Sequence, residues 1–130
     1  MALIFYKCNT CGNIILKVKD GGTTPSCCGK LMTELTPEST DGDLDKHVPV
    51  CSRNSNIVCV NVGKTDHPMT EMHHIDFIAL ETSRGIYLRY LDWDQCDNCN
   101  PKACFTISEF ELPIAVFTYC NLHGLYLEMC

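Results

Sequence analysis

Four cysteines within the first 36 residues constrain the fold of this chain more than any other feature. They form two pairs separated by fifteen residues, Cys8 with Cys11 and Cys27 with Cys28. A segment this short buries too little apolar surface to fold unless a metal or disulfides hold it together. Four thiolates in two pairs suit a tetrahedral metal. Gly12 and Gly29 each follow a pair directly, where a positive φ would turn backbone amides toward the sulfurs.

Two other interpretations of these four cysteines stay open. A zinc knuckle without a redox role has the same ligand spacing. Disulfides are the other alternative, although adjacent Cys27 and Cys28 cannot bond to each other without strain and would have to pair with Cys8 or Cys11.

The chain has eleven cysteines in all, an odd number. Residues 1–17 lack the basic start, long apolar stretch and cleavage site of an export signal, so we expect a cytoplasmic protein. In a reducing cytoplasm, cysteines at ligand spacing are expected to bind metal. Packing or surface thiols are predicted at Cys51, Cys59 and Cys130. Free loop thiols are predicted at Cys96, Cys99 and Cys104, with a further metal site or a disulfide as alternatives.

Composition excludes several classes of function. The formal net charge is -6, and no basic stripe offsets it, which argues against a nucleic-acid partner. No apolar run approaches the length of a membrane span, so no membrane association is expected.

The chain is predicted to contain two domains, residues 1–36 and 37–130. The polar, acidic segment 37–45 contains Pro and Gly and is typical of a linker. Short β-prone runs precede it at 4–7, 13–18 and 31–35. Seven longer runs rich in Val, Ile, Tyr and Phe follow it, at 48–53, 57–62, 74–82, 86–91, 104–107, 114–120 and 125–128. Turn residues separate these runs without helical periodicity, which predicts an all-β chain ending in an immunoglobulin-like β-sandwich.

The five histidines of the chain form a second candidate metal site together with one cysteine. Their positions are His47, His67, His73, His74 and His123, and the cysteine is Cys120 in a C-x-x-H pair. A single histidine is more often a structural residue than a ligand. The C-x-x-H pair, however, needs partners from elsewhere in the fold to complete a site. Pro49 and Pro68 keep the chain extended after two of the histidines and favour fixed presentation.

These motifs together resemble the desulfoferrodoxin family from one end of the chain to the other. The matching segments, in family order, are Phe5-Tyr6-Lys7-Cys8, Asp20-Gly21-Gly22, Pro25-Ser26-Cys27-Cys28-Gly29-Lys30, Lys46-His47-Val48-Pro49, His67-Pro68-Met69 and Cys120-Asn121-Leu122-His123-Gly124. A single C-x-x-C motif is weak evidence, whereas this order of cysteine and histidine motifs is specific.

The resemblance implies two iron centres per chain. A desulforedoxin-like N-terminal domain would bind iron through the four paired cysteines. The sandwich would bind a catalytic iron through His47, His67, His73 and His123, with Cys120 on the axis. His73 is favoured over His74 because it lies six positions after His67, as in the family, whereas His74 occupies a position that is usually aromatic.

The resemblance also implies superoxide reductase activity, with superoxide as substrate and a rubredoxin-like protein as electron donor. Lys46 is expected to attract superoxide to the iron. Asp45 stands where the family usually has a glutamate that reaches the ferric iron, and its side chain is one methylene shorter. The family further implies a homodimer formed through the N-terminal domain.

Two alternatives belong to other functional classes. A non-enzymatic electron-transfer protein would keep its irons fully ligated and bind no azide or cyanide. A zinc-stabilised interaction module would be colourless.

Overall fold

The computed structural model describes residues 3–38, 47–94 and 100–130. Most of the predicted linker lies outside these residues, as do Asp45, Lys46, Cys96 and Cys99. The chain divides into two compact units, Met1–Thr36 and Pro37–Cys130. The described part contains no helix with the length and hydropathy needed to cross a membrane.

The described residues of the N-terminal unit form five short strands. They are β1 (Ile4–Lys7), β2 (Ile14–Lys17), β3 (Ser26–Cys27), β4 (Lys30–Leu31) and β5 (Thr33–Glu34). Strands β2, β1 and β5 form one sheet in that order, and β3 pairs with β4 in a hairpin. The predicted run 31–35 is split because its pairing partner changes. Leu31 pairs with β3, and the Met32 amide donates to the Pro25 carbonyl on the same side at 2.9 Å, whereas Thr33 pairs with β1. Among the described residues of this unit, only Phe5, Tyr6, Cys8 and Met32 are buried, which is too small a core to fold alone.

The C-terminal unit contains the seven strands predicted from the sequence. They are β6 (Pro49–Asn54), β7 (Ile57–Val62), β8 (Ile75–Thr82), β9 (Ile86–Tyr90), β10 (Lys102–Thr106), β11 (Pro113–Cys120) and β12 (Gly124–Met129). They form two antiparallel sheets, β10-β7-β6 and β12-β11-β8-β9. The all-β prediction of a small domain followed by a sandwich is therefore confirmed.

Alternating apolar residues explain how the two sheets pack. In β7, Val58, Val60 and Val62 are fully buried, while the residues between them are less so. Ile78 and Leu80 of β8 belong to the same buried cluster from the other sheet. Because strand side chains point alternately to opposite faces, this pattern fixes which face of β7 meets the core.

Two disulfides correct the prediction that four cysteines of this unit are free. Cys59 and Cys104 are directly opposite each other on β7 and β10, with Cα atoms 4.0 Å apart, and they form a disulfide within one sheet. Cys51 of β6 is bonded to Cys130, which follows β12, with Cα atoms 5.7 Å apart. This second bridge joins the two sheets. The sequence did not reveal either pair because strand register and sheet packing bring them together across 45 and 79 residues.

Candidate metal centres

The four thiols of the N-terminal unit converge at the ends of its hairpins. Cys8 directly follows β1, Cys11 lies in the next turn, and Cys27 and Cys28 occupy the β3–β4 hairpin. Their sulfurs all lie within 4.8 Å of one another. The Sγ atoms of Cys11 and Cys27 are 3.6 Å apart, and those of Cys27 and Cys28 are 3.9 Å apart. Sulfurs bound at about 2.3 Å to one tetrahedral metal would be about 3.8 Å apart, so the cluster fits such an ion.

Left-handed backbone conformations allow the thiols to converge. Gly12 and Gly29 have φ of 83° and 75°, in the region predicted for them, and Cys28 itself has φ of 54°. The Cys11 amide donates to Cys8 Sγ at 3.5 Å, and the Asn13 side-chain amide donates to Cys27 Sγ at 3.7 Å. Such N–H groups stabilise negative charge on sulfur.

The thiols differ in how readily they ionise. Backbone N–H groups of Cys11 and Thr10 lower the pKa of Cys8 from 9.0 to about 6. The neighbouring thiols of Cys11 and Cys8 raise the pKa of Cys28 to about 12 and also raise the pKa of Cys27. At neutral pH the metal-free cluster therefore retains protons, which a bound cation would displace.

The second cluster is assembled from three separate segments of the sandwich. His47 lies two residues before β6, and His67 and His73 lie in the β7–β8 connection. Cys120 is the last residue of β11, and His123 lies in the turn before β12. His47, His67 and Cys120 are buried, His73 is partly buried and His123 is exposed. The cluster is thus packed against the core but reaches solvent at His123.

Distances within this cluster fit a shared metal. One ligand atom from each of His47, His73, Cys120 and His123 lies within 4.8 Å of the others. His47 Nε2 and His123 Nδ1 are 2.9 Å apart, and Cys120 Sγ is 3.6 Å from the same Nδ1. Two nitrogens bound at right angles at about 2.1 Å to one metal would be about 3.0 Å apart. The His67 ring adjoins this group, with centroids 4.7 Å from His47 and 4.5 Å from His73.

The orientation of His67 suits a metal ligand. Its Nδ1 lies 2.7 Å from the Pro68 carbonyl, which can only accept, so Nδ1 carries the proton and donates. Nε2 is buried and has no hydrogen-bond partner among the described residues. Burial lowers the pKa of His67 to about 4. The ring is therefore neutral at neutral pH, with a lone pair on Nε2 that a metal would satisfy.

A β-bulge sets the position of Cys120. The β11–β8 pairing runs through Tyr119 and Phe77 and then shifts, so that Cys120 is opposite Ile75 and Asp76 is passed over. Both Cys120 and Ile75 are fully buried in the core cluster. Bulges commonly re-aim side chains beside active sites. Gly124, opposite Cys120 on β12, has φ of 93°, which a tight turn between Cys120 and β12 requires.

The ring nitrogens of His74 contact groups outside this metal cluster. Its Nδ1 is 2.8 Å from the Thr70 carbonyl and its Nε2 is 3.0 Å from Asp76 Oδ1. Its ring also stacks on Trp93, with centroids 6.2 Å apart. Both nitrogens therefore have partners outside the cluster, in contrast to His67 Nε2.

All nine predicted metal ligands are among the described residues and lie in two clusters. Asp45 and Lys46 are not among the described residues. Sequence reasoning gave no role to Asn121. The sequence feature that could have drawn attention to Asn121 is its polar side chain between Cys120 and His123, the two members of the C-x-x-H pair.

Comparisons with known proteins agree on one family. The desulfoferrodoxin family model matches residues 39–129, and the model of the desulfoferrodoxin N-terminal domain matches residues 3–35. A desulfoferrodoxin from Syntrophotalea carbinolica is 38% identical over 121 residues, covering 93% of this chain and 91% of its own. The superoxide reductase of Treponema pallidum has a similar structure, with a TM-score of 0.80 and 26% identity over 98% of this chain and 97% of its own. A one-iron superoxide reductase from Giardia intestinalis aligns with a TM-score of 0.54 and 28% identity, over 66% of this chain and 97% of its own.

Proposed function

The chain belongs to the desulfoferrodoxin family, and from that premise we propose that it reduces superoxide to hydrogen peroxide at an iron centre in the sandwich. The observation that carries this proposal is the convergence of four imidazoles and one cysteine thiol in one partly exposed cluster. Ferrous iron bound there would supply the one electron that, with two protons, converts superoxide to hydrogen peroxide.

We assign the ligands of that iron as His47, His67, His73, His123 and Cys120. Five protein ligands leave one position of a six-coordinate iron for the substrate. Neutral imidazoles add no negative charge to repel the superoxide anion, and the low pKa of His67 supports this role for one of them. As a thiolate ligand, Cys120 would donate electron density to iron bound there, which would favour electron transfer to the substrate. Its complete burial protects it from solvent and from other oxidants.

The choice of His73 over His74 rests on their different surroundings. His73 offers a ring nitrogen within the cluster, whereas both nitrogens of His74 face Thr70 and Asp76. Replacing His74 by phenylalanine should therefore leave the iron content near that of the parent. The matched replacement of His73 should empty the site, and the reverse pattern would exchange the two assignments.

We assign the N-terminal thiols Cys8, Cys11, Cys27 and Cys28 to a second iron, which would relay or store the electron that re-reduces the catalytic iron. The sulfur spacing supports a tetrahedral ion there. If protein made with ample iron carries zinc in this site and keeps full activity, the relay role is wrong and a structural role remains.

Lys46 and Asp45 are proposed to act on the substrate side of the site. Both immediately precede His47 in the sequence, so each backbone position is within two residues of a ligand. Lys46 would attract superoxide despite the net charge of -6, and Asp45 would reach toward the ferric iron.

Partners and location complete the proposal. We propose a rubredoxin-like donor, a homodimer and a cytoplasmic location. The two disulfides are the feature that weighs against the cytoplasm, because disulfides are rare in reducing compartments. Cell fractionation, together with light scattering for the dimer, tests these points separately from the chemistry.

The decisive experiment mixes the fully reduced protein with a pulse of superoxide and measures peroxide formed per superoxide consumed. One peroxide per superoxide indicates reduction, and half that yield indicates dismutation. An electron carrier with fully ligated iron would react slowly, and its ferric spectrum would not respond to azide. An azide-induced spectral change therefore separates the enzyme from the carrier.

A further inference from the structure

Asn121 connects the two chain segments that contain His73 and Cys120. Its side-chain Oδ1 accepts a hydrogen bond from the His74 amide at 2.8 Å. Its side-chain Nδ2 donates to the Met72 carbonyl at 3.0 Å. Its own backbone amide donates to the His74 carbonyl at 3.1 Å. One residue, directly after Cys120, thus binds the main chain on both sides of His73.

From this arrangement we propose that Asn121 is a positioning residue that fixes His73 relative to Cys120. The inference deepens the proposed function and rests on the same ligand assignment. Asn121 does not reach the iron through its side chain. It acts through the peptide groups of Met72 and His74, and hence through the backbone position from which the His73 ring extends.

Hydrogen bonds within the β7–β8 connection do not replace this link. The Thr70 hydroxyl accepts from the His73 amide at 3.1 Å, and the Thr70 amide donates to the His73 carbonyl at 2.9 Å. These contacts shape the connection internally, whereas the Asn121 bonds join it to the turn between β11 and β12. The internal contacts would therefore set the conformation of the connection, and Asn121 would set its position relative to Cys120.

The chemistry of the site explains why this residue is an asparagine. The His74 amide can only donate and the Met72 carbonyl can only accept, so one side chain must offer an acceptor and a donor together. An aspartate supplies the acceptor but places negative charge against the Met72 carbonyl. A leucine of similar size supplies neither group.

The test compares iron-loaded full-length Asn121→Leu and Asn121→Asp with the parent and with Leu122→Ala. Leu122 is the matched control because it lies in the same turn and its side chain is 60% exposed. Two quantities are measured: the rate at which a chelator removes the histidine-bound iron, and the energy of the ferric thiolate-to-iron absorption band. The four-cysteine centre, with its own absorption, serves as an internal reference.

We expect the chelator to remove iron about tenfold faster from Asn121→Leu than from the parent. Losing a group that orients a metal ligand typically weakens metal binding by about 10- to 100-fold, and we expect the lower end of that range. The thiolate band should also shift, which a loss of overall stability alone would not cause. Asn121→Asp should show the same direction of change, and it carries the test if Asn121→Leu does not fold. Leu122→Ala should match the parent.

Parent-like iron release and an unshifted band in both Asn121 variants would overturn the positioning role while leaving superoxide reduction intact. An equal change in Leu122→Ala would also overturn it, since any disturbance of the turn would then suffice. A parent protein without the thiolate band or without superoxide reduction would refute the proposed function, and this inference with it.

Discussion

Replacing Cys51 and Cys130 by alanine removes the disulfide between the two sheets, and we expect a large loss of stability. The bridge closes a loop with a sequence separation of 79 residues. In the chain-entropy model, a crosslink of this span stabilises a protein by about 4.5 kcal/mol at 25 °C, because it restricts the unfolded chain. For a unit of this size, that corresponds to a fall in Tm of about 20 °C or more.

Guanidinium unfolding followed by fluorescence is a suitable assay. The only tryptophan of the chain, Trp93, lies in the sandwich unit, so its emission reports this unit and not the N-terminal one. All proteins should carry the same amount of iron, because ligand binding to the folded state adds its own stabilisation. Replacing Cys59 and Cys104 is the matched comparison: that separation of 45 residues predicts a loss of about 4 kcal/mol.

Single variants make the test sharper. Cys51→Ala and Cys130→Ala each already break the bridge, so each should lose nearly as much stability as the double variant. Independent side chains would instead give losses that add. Additive single losses, or a double variant within about 1 kcal/mol of the parent, would refute a stabilising bridge between these two residues.

Three further outcomes are expected. Cys120→Ser should abolish the thiolate-to-iron band and nearly all superoxide reduction even where iron is retained, and activity without the band would refute the axial assignment. Lys46→Ala should slow the reaction with superoxide about tenfold at low salt and flatten its salt dependence in stopped-flow traces, without changing the iron content. Hydrogen bonds from the Thr82 hydroxyl and the Ser108 amide lower the pKa of Glu111 below 4.5, so its stabilising effect is full above that pH and is lost as pH falls through the lowered pKa. The stability difference between the parent and Glu111→Gln should therefore shrink in acid denaturation measurements, and a pH-independent difference would contradict this role.

The strands were predictable because their signal is local. Val58, Val60 and Val62 alternate with less buried residues, and this period of two is visible without the fold. The run at 31–35 was predicted as one strand but is interrupted at Met32, because the hydrogen bond of Met32 to Pro25 depends on the neighbouring hairpin.

Residue chemistry indicated the candidate ligands, but not how their surroundings distinguish them. Which ring nitrogen of His67 is free depends on its contact with the Pro68 carbonyl. The hydrogen bond that occupies His74 Nε2 is made with Asp76. The β-bulge leaves Asp76 out of the β8–β11 register, between the residues paired with Tyr119 and Cys120. The cysteine pairs were missed for the same reason, since register across the β7–β10 ladder brings Cys59 to Cys104 and sheet packing brings Cys51 to Cys130.

The two units differ in how much their folding depends on the metal that their ligands would bind. In the N-terminal unit only four described residues are buried, one of which is the ligand Cys8, so metal binding supplies much of the folding energy. The sandwich has a buried cluster of twelve described residues, of which Cys120 alone is a metal ligand, and two disulfides that involve no metal ligand. Its fold can therefore hold the imidazoles and Cys120 in place without a metal, so that iron bound there could change oxidation state without unfolding this unit. Removing metal should consequently unfold the N-terminal unit and spare the sandwich, and the catalytic chemistry belongs where the fold does not depend on the ion.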